Sequence, residues 1–275
     1  MNEANHMRRI AVAWFVLSAI LTPIVVVVIA PTLPPGKATN ASSSQVFDNT
    51  VLFGILTPIA VAIAVYFAYA LVVFRHRGAE PEEGVATRDN PAVHVPWLAT
   101  TSVIVLFLAA FGTIELADAG VGGGQGPSPV FKPSGSVLPV QVIGQQWEFT
   151  YRYPTYGGVE TPHIELPVGR QIALHVTSLD VIHSFWAPRL GVKVDANPGV
   201  DNVAFVKPEE ERSFELRCSE LCGLWHGYMF DTGQVVGESA FREWIQEQRR
   251  IFAPATRVLP KYSTHYIPEP ERRGG

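Results

Sequence analysis

Three long apolar stretches, followed by a series of short alternating ones, organise this chain. The apolar stretches run approximately over residues 10–30, 51–74 and 96–117. Each approaches or exceeds the roughly 20 residues that a helix needs to cross the hydrocarbon layer of a membrane. The sequence therefore predicts membrane-spanning helices in its N-terminal half.

The first apolar stretch, within the segment 1–35, has two interpretations. It follows Arg8 and Arg9, as the core of a signal peptide follows its basic residues. It is longer than most signal cores, however, and lacks a clean small-x-small cleavage site. We favour a retained helix, and a cleaved signal is the alternative.

Positive charges set the expected orientation of the transmembrane hairpin at 48–118. Three arginines lie between residues 75 and 90, whereas the segment 31–50 carries only Lys37. Loops rich in lysine and arginine stay in the cytoplasm. We therefore expect the chain after about residue 118 to lie on the outer, periplasmic side of the cell membrane.

The second half predicts a linker and then a β domain. Residues 119–136 hold too many glycines and prolines for a helix or a central strand. From 137 to 252, short β-rich runs alternate with turn residues, which indicates an all-β sandwich or barrel. The expected strands are 138–143, 147–153, 171–177, 202–206 and 213–218.

A helix is predicted at the end of the β domain. Residues 238–250 place Phe241, Trp244 and Ile245 at the i, i+3 and i+4 positions of one helical face. The tail 253–275 shows no periodicity, so we expect it to be extended on the surface or on a partner.

Charge and composition narrow the function. The 275-residue chain has a net charge of −4 and no basic stripe interleaved with aromatic residues, which argues against nucleic-acid binding. Residues 137–250 hold 10 Lys and Arg against 15 Asp and Glu, a local charge of −5. Such a domain would steer a positively charged partner toward itself. There is no Cys-x-x-Cys-His motif for covalent haem attachment.

The candidate chemistry is concentrated between Cys218 and Met229. Two thiols, the His226 imidazole and a thioether fall within these twelve residues, and two glycines favour a loop over a helix. Soft sulfur ligands combined with imidazole suit copper, and a weak thioether ligand is typical of electron-transfer copper. His183, which follows a predicted strand, is the candidate for a second imidazole, and Asp180 could orient its loop.

Each of these residues has a simpler interpretation. Cys218 and Cys222 are suited to a small disulfide in an oxidising compartment. The same cysteines with His183 and His226 would also suit a Cys₂His₂ zinc site. Taken alone, His183 is more typical of an ordinary surface or core histidine. The spacing of the cluster favours copper over these alternatives.

This cluster resembles that of subunit II of haem-copper cytochrome c oxidases, whose two-copper site is called CuA. The resemblance covers most of the chain, from the hairpin at 51–117 to Met229, and the spacing Cys-x-x-x-Cys-x-x-x-His-x-x-Met is highly specific. Residues 191–199 are similar to the family's segment after its first histidine. The resemblance implies a cupredoxin-like sandwich after the transmembrane helices.

The resemblance also implies a ligand for each position around two coppers. The implied metal ligands are His183, Cys218, Glu220, Cys222, His226 and Met229. By similarity the cysteines bridge both coppers as thiolates, and each histidine holds one. The methionine ligates one copper weakly, and Glu220 supplies its backbone carbonyl to the other. The side chain of Glu220 is implied, less strongly, as a magnesium ligand at the interface with the catalytic subunit.

Two further residues are compared with the family. Trp147 resembles the tryptophan that accepts an electron from cytochrome c, although Glu148 and Phe149 replace the Tyr-Trp that usually follows. A buried aromatic residue on a strand is the alternative for Trp147. His94 stands where many relatives have a glutamate at the mouth of a proton path, and a solvated histidine is the alternative there.

The implied function is that of an oxidoreductase subunit, with the oxygen chemistry on a partner. The expected partners are the haem-bearing catalytic subunit I, subunit III, and cytochrome c or a similar donor. A quinol oxidase subunit II shares the fold but lacks the copper ligands. A nitric oxide reductase subunit with CuA and a membrane-tethered copper chaperone remain the alternatives.

Overall fold

The chain folds into two units. The computed structural model describes residues 3–33, 36–75, 78, 90–119 and 132–258. One unit comprises Met1–Thr32 with Phe47–Glu115, and the other comprises Leu33–Val46 with Leu116–Gly275. The second unit therefore takes in a short piece of chain from far outside the predicted β domain.

The first unit is helical and apolar. Its helices are α1 (Glu3–Ile24), which continues through a π-helical turn (Val25–Ile29) and a 3₁₀ turn (Ala30–Thr32), α2 (Asn40–Val73) and α3 (Pro91–Ala119). By length and composition, three helices of the described chain are able to span a membrane. The prediction of apolar N-terminal helices is confirmed. Within this unit the Trp14 indole Nε1 donates a hydrogen bond to the carbonyl of Pro58, 2.8 Å away.

Within the described residues, the second unit is built on ten strands. They are β1 (Leu138–Gln145), β2 (Glu148–Tyr153), β3 (Val159–Thr161), β4 (Glu165–Pro167), β5 (Ile172–Ser178), β6 (His183–Ala187), β7 (Val192–Ala196), β8 (Asn202–Val206), β9 (Arg212–Cys218) and β10 (Phe230–Val236). Two helices follow, α4 (Glu238–Ile251) and α5 (Ala253–Val258).

The strands form two five-stranded sheets. One sheet has the order β3-β2-β1-β5-β8 and the other β4-β10-β9-β6-β7. The apolar faces of both sheets meet in one core, to which Phe241 and Ile245 of α4 contribute. Cys218, Cys222 and Met229 belong to the same buried cluster. The predicted class, apolar helices followed by a cupredoxin-like sandwich, is confirmed.

A segment that precedes the transmembrane part of α2 packs on the sandwich. Thr39 caps α2: its Oγ1 accepts the amide of Ser42 at 3.0 Å and donates to the carbonyl of Leu190 at 2.9 Å. Gln45 donates to the carbonyl of Gly191 at 2.8 Å. Thr39 and Ser42 are fully buried. Residues 38–46, which the prediction left between its first segment and the hairpin at 48–118, therefore belong with the sandwich, and the first unit resumes at Phe47.

Several boundaries differ from those predicted. Strands β3, β4, β6, β7 and β10 were not predicted, and β2 begins at Glu148, so Trp147 lies in the turn before it. The predicted helix at 238–250 is confirmed as α4. The tail is not extended at its start, because residues 253–258 are helical. Most of the predicted linker and the rest of the tail lie outside the described residues.

Candidate metal centre

Strand pairing closes the metal-binding loop, which we define as residues 218–229. Cys218 is the last residue of β9, and Met229 directly precedes β10. The two strands pair antiparallel, and the Cys218 amide donates to the Met229 carbonyl at 2.8 Å. The hairpin thus brings both ends of the loop together, and a 3₁₀ turn at His226–Tyr228 leads into the buried Met229.

The neighbouring strand β6 brings His183 to this loop. Phe185 of β6 is paired with Cys218 of β9, and the Ser219 amide donates to the Ser184 carbonyl at 2.9 Å. His183 is the first residue of β6 and is fully buried. A residue 35 positions away in sequence is therefore fixed beside the loop by the sheet.

The Cys218 sulfur has three candidate ligand atoms around it. His183 Nδ1 lies 3.8 Å away, the Glu220 carbonyl oxygen 3.2 Å and the Cys222 sulfur 3.8 Å. The ligand atoms of His183, Cys218 and Cys222 all lie within 4.8 Å of one another.

The Cys222 sulfur has two further candidate ligand atoms beside it. His226 Nδ1 lies 3.5 Å away and the Met229 sulfur 3.8 Å. The other four predicted ligands thus lie around the two thiols, with one histidine beside each thiol. Metal–sulfur bonds of about 2.3 Å and metal–nitrogen bonds of about 2.0 Å would separate two tetrahedral ligands by roughly 3.5–3.8 Å. The spacing and chemistry of this donor set fit metal ions shared between the thiols.

Asp180 orients the His183 ring. Its Oδ1 lies 2.9 Å from His183 Nε2, which leaves Nδ1 directed at the Cys218 sulfur. A carboxylate that accepts the second ring N–H fixes the tautomer and orientation of a ligand histidine. The loop-orienting role expected of Asp180 is therefore, in the structure, a direct contact with the ring.

Hydrogen bonds oppose burial in setting the pKa values of these groups. Burial raises the pKa of Asp180, but hydrogen bonds from the Gln146 amide and from His183 outweigh it and leave that pKa below its usual value. Burial lowers the pKa of His183, yet hydrogen bonds with Cys218 and Asp180 raise it above the ordinary value. Asp180 and Cys218 thus both favour the protonated form of His183 in the metal-free chain.

The turn between β1 and β2 lies next to the loop. Trp147 packs partly buried against the core, and its indole lies beside Gly223 of the metal-binding loop. Trp147 therefore adjoins the metal-binding loop at Gly223, and it lies in a turn and not on a strand. Phe149, one of the departures from the family, packs edge-on against His183 with ring centroids 6.3 Å apart.

The structure bears on the simpler interpretations as well. Cys218 and Cys222 are free, with their sulfurs 3.8 Å apart. Six donors exceed the four that a structural zinc ion takes.

His94 lies exposed on α3. In the part of the chain that the structure describes, the one cluster of three His, Cys, Asp or Glu ligand atoms is His183, Cys218 and Cys222. The Glu220 carboxylate is outside it, which leaves the magnesium site without support.

Sequence comparison matches this chain to subunit II proteins of cytochrome c oxidases. The family model described as "Cytochrome C oxidase subunit II, periplasmic domain" matches residues 160–236. "Cytochrome c oxidase subunit 2" of Cereibacter sphaeroides is 28% identical over 268 residues, which cover 82% of this chain and 85% of that protein. The same-named protein of Thermostichus vulcanus is 27% identical, with 83% of this chain and 82% of that protein covered.

Two further matches cover less. The "Cytochrome c oxidase subunit 2" of Alkalihalophilus pseudofirmus is 27% identical, and the match spans 73% of this chain but 58% of that protein. Among solved structures, the periplasmic domain of subunit II of cytochrome oxidase from Bradyrhizobium japonicum is 32% identical, covering 44% of this chain and 98% of that chain, with a TM-score of 0.42.

Proposed function

Because this chain belongs to the cytochrome c oxidase subunit II family, we propose that it is the copper-bearing subunit of a respiratory oxidase. It accepts electrons from cytochrome c and passes them to the haems of a catalytic subunit, where oxygen is reduced to water. The observation that carries this proposal is the grouping of two thiols with four further donor groups, each 3.2–3.8 Å from a cysteine sulfur.

Each donor has a proposed role in holding a CuA centre. Cys218 and Cys222 would hold the copper ions together with His183 and the Glu220 carbonyl, which lie beside the Cys218 sulfur, and with His226 and Met229, which lie beside the Cys222 sulfur. When bound, the two copper ions supply a reversible one-electron couple.

The chain's own residues keep this site rigid and dry. Cys218, Cys222, Met229 and His183 are at most 6% exposed, so water is largely excluded from the donor atoms. Strands β6, β9 and β10 fix the backbone beneath them, and Asp180 fixes the His183 ring. A framework that does not move between charge states suits a relay, because little reorganisation accompanies each electron.

Trp147 is the proposed first acceptor of the electron from cytochrome c. Its position against Gly223 in the metal-binding loop supports this role. Glu148 beside it is exposed and negatively charged, which favours a positively charged donor at this place.

The apolar helices support membrane attachment. We propose that α1, α2 and α3 span the cell membrane and that the sandwich lies on its outer, periplasmic face. Catalytic subunit I and subunit III are the proposed neighbours in the oxidase. The same ligand set would serve the small subunit of a nitric oxide reductase. The identity of the catalytic partner decides between an oxidase and a reductase.

The test is a copper-binding measurement on the full chain purified in detergent and loaded with copper. We expect two coppers per chain and an electron paramagnetic resonance signal of one unpaired electron shared by both ions. Cys218→Ser removes the signal, whereas Ser219→Ala, a change of the adjacent residue, keeps it. Zinc bound in place of copper, or one copper released readily to an acceptor, would contradict the proposal in favour of a structural zinc site or a chaperone.

A further inference from the structure

The turn at residues 145–148 touches the metal-binding loop through a contact that only glycine permits. A Cβ atom on Gly223 would lie 2.9 Å from Gln146 Nε2 and 3.4 Å from Trp147 Nε1. Gly223 also has φ +117°, a conformation that other residues rarely adopt. The turn and the loop therefore meet without any intervening side chain.

The Trp147 indole is not held there by its own polar atom. Its Nε1 is buried and has no hydrogen-bond partner among the residues that the structure describes. Van der Waals contact alone is weakly directional. The position of the indole relative to the loop therefore depends on what fixes the turn.

Gln146 fixes the turn at two points. Its backbone N–H donates to Asp180 Oδ2 at 2.7 Å, and its side-chain Nε2 donates to the Cys222 carbonyl at 2.8 Å. Asp180 is also the partner of His183. Gln146 is thus joined to the metal-binding loop on one side and to the carboxylate that orients His183 on the other.

The preceding glutamine makes no such connection. Gln145 Nε2 donates to Glu148 Oε1 at 3.0 Å, a hydrogen bond within the same hairpin and exposed to solvent. The side chains of these two adjacent glutamines therefore differ in their partners: that of Gln146 bonds the metal-binding loop, and that of Gln145 bonds Glu148. This pair provides a matched comparison.

We propose that Gln146 is a positioning residue that holds Trp147 against the metal-binding loop. The proposal deepens the proposed function and rests on it, because it assigns how the electron-accepting side chain is kept at its place. One hydrogen bond of ordinary net strength corresponds to about a tenfold change in the population of the tethered turn.

The experiment compares Gln146→Met with Gln145→Met in the full chain. Methionine has nearly the length of glutamine and keeps the backbone N–H, so only the polar side-chain amide is lost. Amide hydrogen exchange is measured at residues 145–148 and at Gly223 in the copper-free chain. Copper stoichiometry, the paramagnetic resonance spectrum and the rate of reduction by reduced cytochrome c are measured after copper loading.

We expect Gln146→Met to speed exchange in both segments about tenfold and to slow reduction about tenfold, with copper stoichiometry and spectrum unchanged. Gln145→Met removes a hydrogen bond within the hairpin and none to the metal-binding loop, so it should keep the parent's exchange at Gly223 and the parent's copper stoichiometry and spectrum. Exchange and reduction rates equal to those of the parent would overturn the proposal. A changed copper spectrum would overturn it too, since Gln146 would then shape the metal site and not the turn.

Failure of the proposed function would look different. A parent chain that binds no copper pair contradicts that function, whereas the exchange comparison needs no copper and still decides whether Gln146 tethers the turn.

Discussion

At the scale of single residues, the pKa values of the two thiols in the metal-binding loop are shifted in opposite directions. Burial raises the pKa of Cys218, but hydrogen bonds from His183 and from the backbone outweigh burial and lower it to about 6. For Cys222, burial and the adjacent Cys218 thiolate both raise the pKa to about 12. In the copper-free chain, one thiol is therefore ionised at neutral pH and the other is not.

This difference predicts two separate thiolate titrations in the copper-free chain. Because the pKa of Cys218 is lowered, its thiolate forms as pH rises through about 6. Ultraviolet thiolate absorbance should show that step, Cys218→Ser should remove it, and His183→Asn should move it to higher pH. Titration of both thiols together near the ordinary value of about 8.5 would contradict the prediction.

Gly144 gives a second prediction at this scale. A Cβ atom there would lie 3.1 Å from Cδ2 of His183, whose ring is held by Asp180. Gly144→Ala should displace the ring, alter the copper spectrum and cost about 1–3 kcal/mol of stability through overpacking. Gly227→Ala is the control, because its Cβ would meet no atom within 4 Å although it lies in the metal-binding loop. Equal spectra for the two variants would refute the account.

At the scale of elements, the contact between residues 38–46 and the sandwich depends on Gly191. A Cβ atom on Gly191 would lie 2.8 Å from the backbone nitrogen of Ser42, and Gly191 has φ +70°. Gly199 has nearly the same φ, +74°, with nothing within 4 Å. The two glycines therefore share the conformational requirement and differ in the contact.

Both alanine variants should lose about 1–2 kcal/mol from the left-handed backbone. Gly191→Ala should lose roughly 1–3 kcal/mol more, because backbone atoms of Ser42 would have to shift. The difference is measured by unfolding the full chain with denaturant in detergent, with the tryptophan fluorescence of the sandwich as the signal. Equal losses would show that segment 38–46 contributes little to the sandwich.

The sequence predicts those elements whose information is local. The metal-binding loop lies within twelve residues, so its ligand spacing is legible directly, and α4 shows its apolar face at helical spacing. Strand β10 was missed because Asp231 and Gly233 are poor strand formers. Gly233 is nevertheless required, since its Cβ would lie 2.2 Å from Phe214 Cζ. Close packing outweighs propensity at this position.

Contacts between distant segments carry no local pattern. Gln146 and Cys222 are 76 positions apart, and nothing in the alternation of either segment indicates their hydrogen bond. His183 was found from the need for a second imidazole and from family resemblance, but its place at the start of β6 was not, because both faces of that strand are buried. The capping contact of Thr39 with Leu190 was missed for the same reason of distance.

At the scale of the whole molecule, charge predicts how the donor associates. The segment 137–250 carries a formal charge of −5, and screening shortens the reach of such a field to about 8 Å at physiological salt. Reduction by a positively charged cytochrome c should therefore slow by about tenfold or more between low and high ionic strength. A neutral chemical reductant should show little change.

Two variants that each remove one negative charge separate the effect of where the charge lies from the effect of net charge. Glu148→Gln removes a charge beside Trp147, and Glu243→Gln removes an equal charge from α4; both residues are exposed. The first should slow the donor reaction at low salt more than the second. Equal effects would mean that net charge, and not a local docking place, controls association.

The participation of residues 38–46 makes the sandwich a body assembled from two separated stretches of sequence. A fragment of the chain that begins at residue 132 would lack three hydrogen-bond partners. The Leu190 carbonyl would lose Thr39 and the Gly191 carbonyl would lose Gln45. The Glu209 amide would lose the Ala38 carbonyl. A synthetic peptide spanning 36–46 should then rebind in trans and restore the lost stability. The sandwich would then behave as a natural split protein, in which the smaller piece is the N-terminal end of the apolar helix α2 together with the residues just before it.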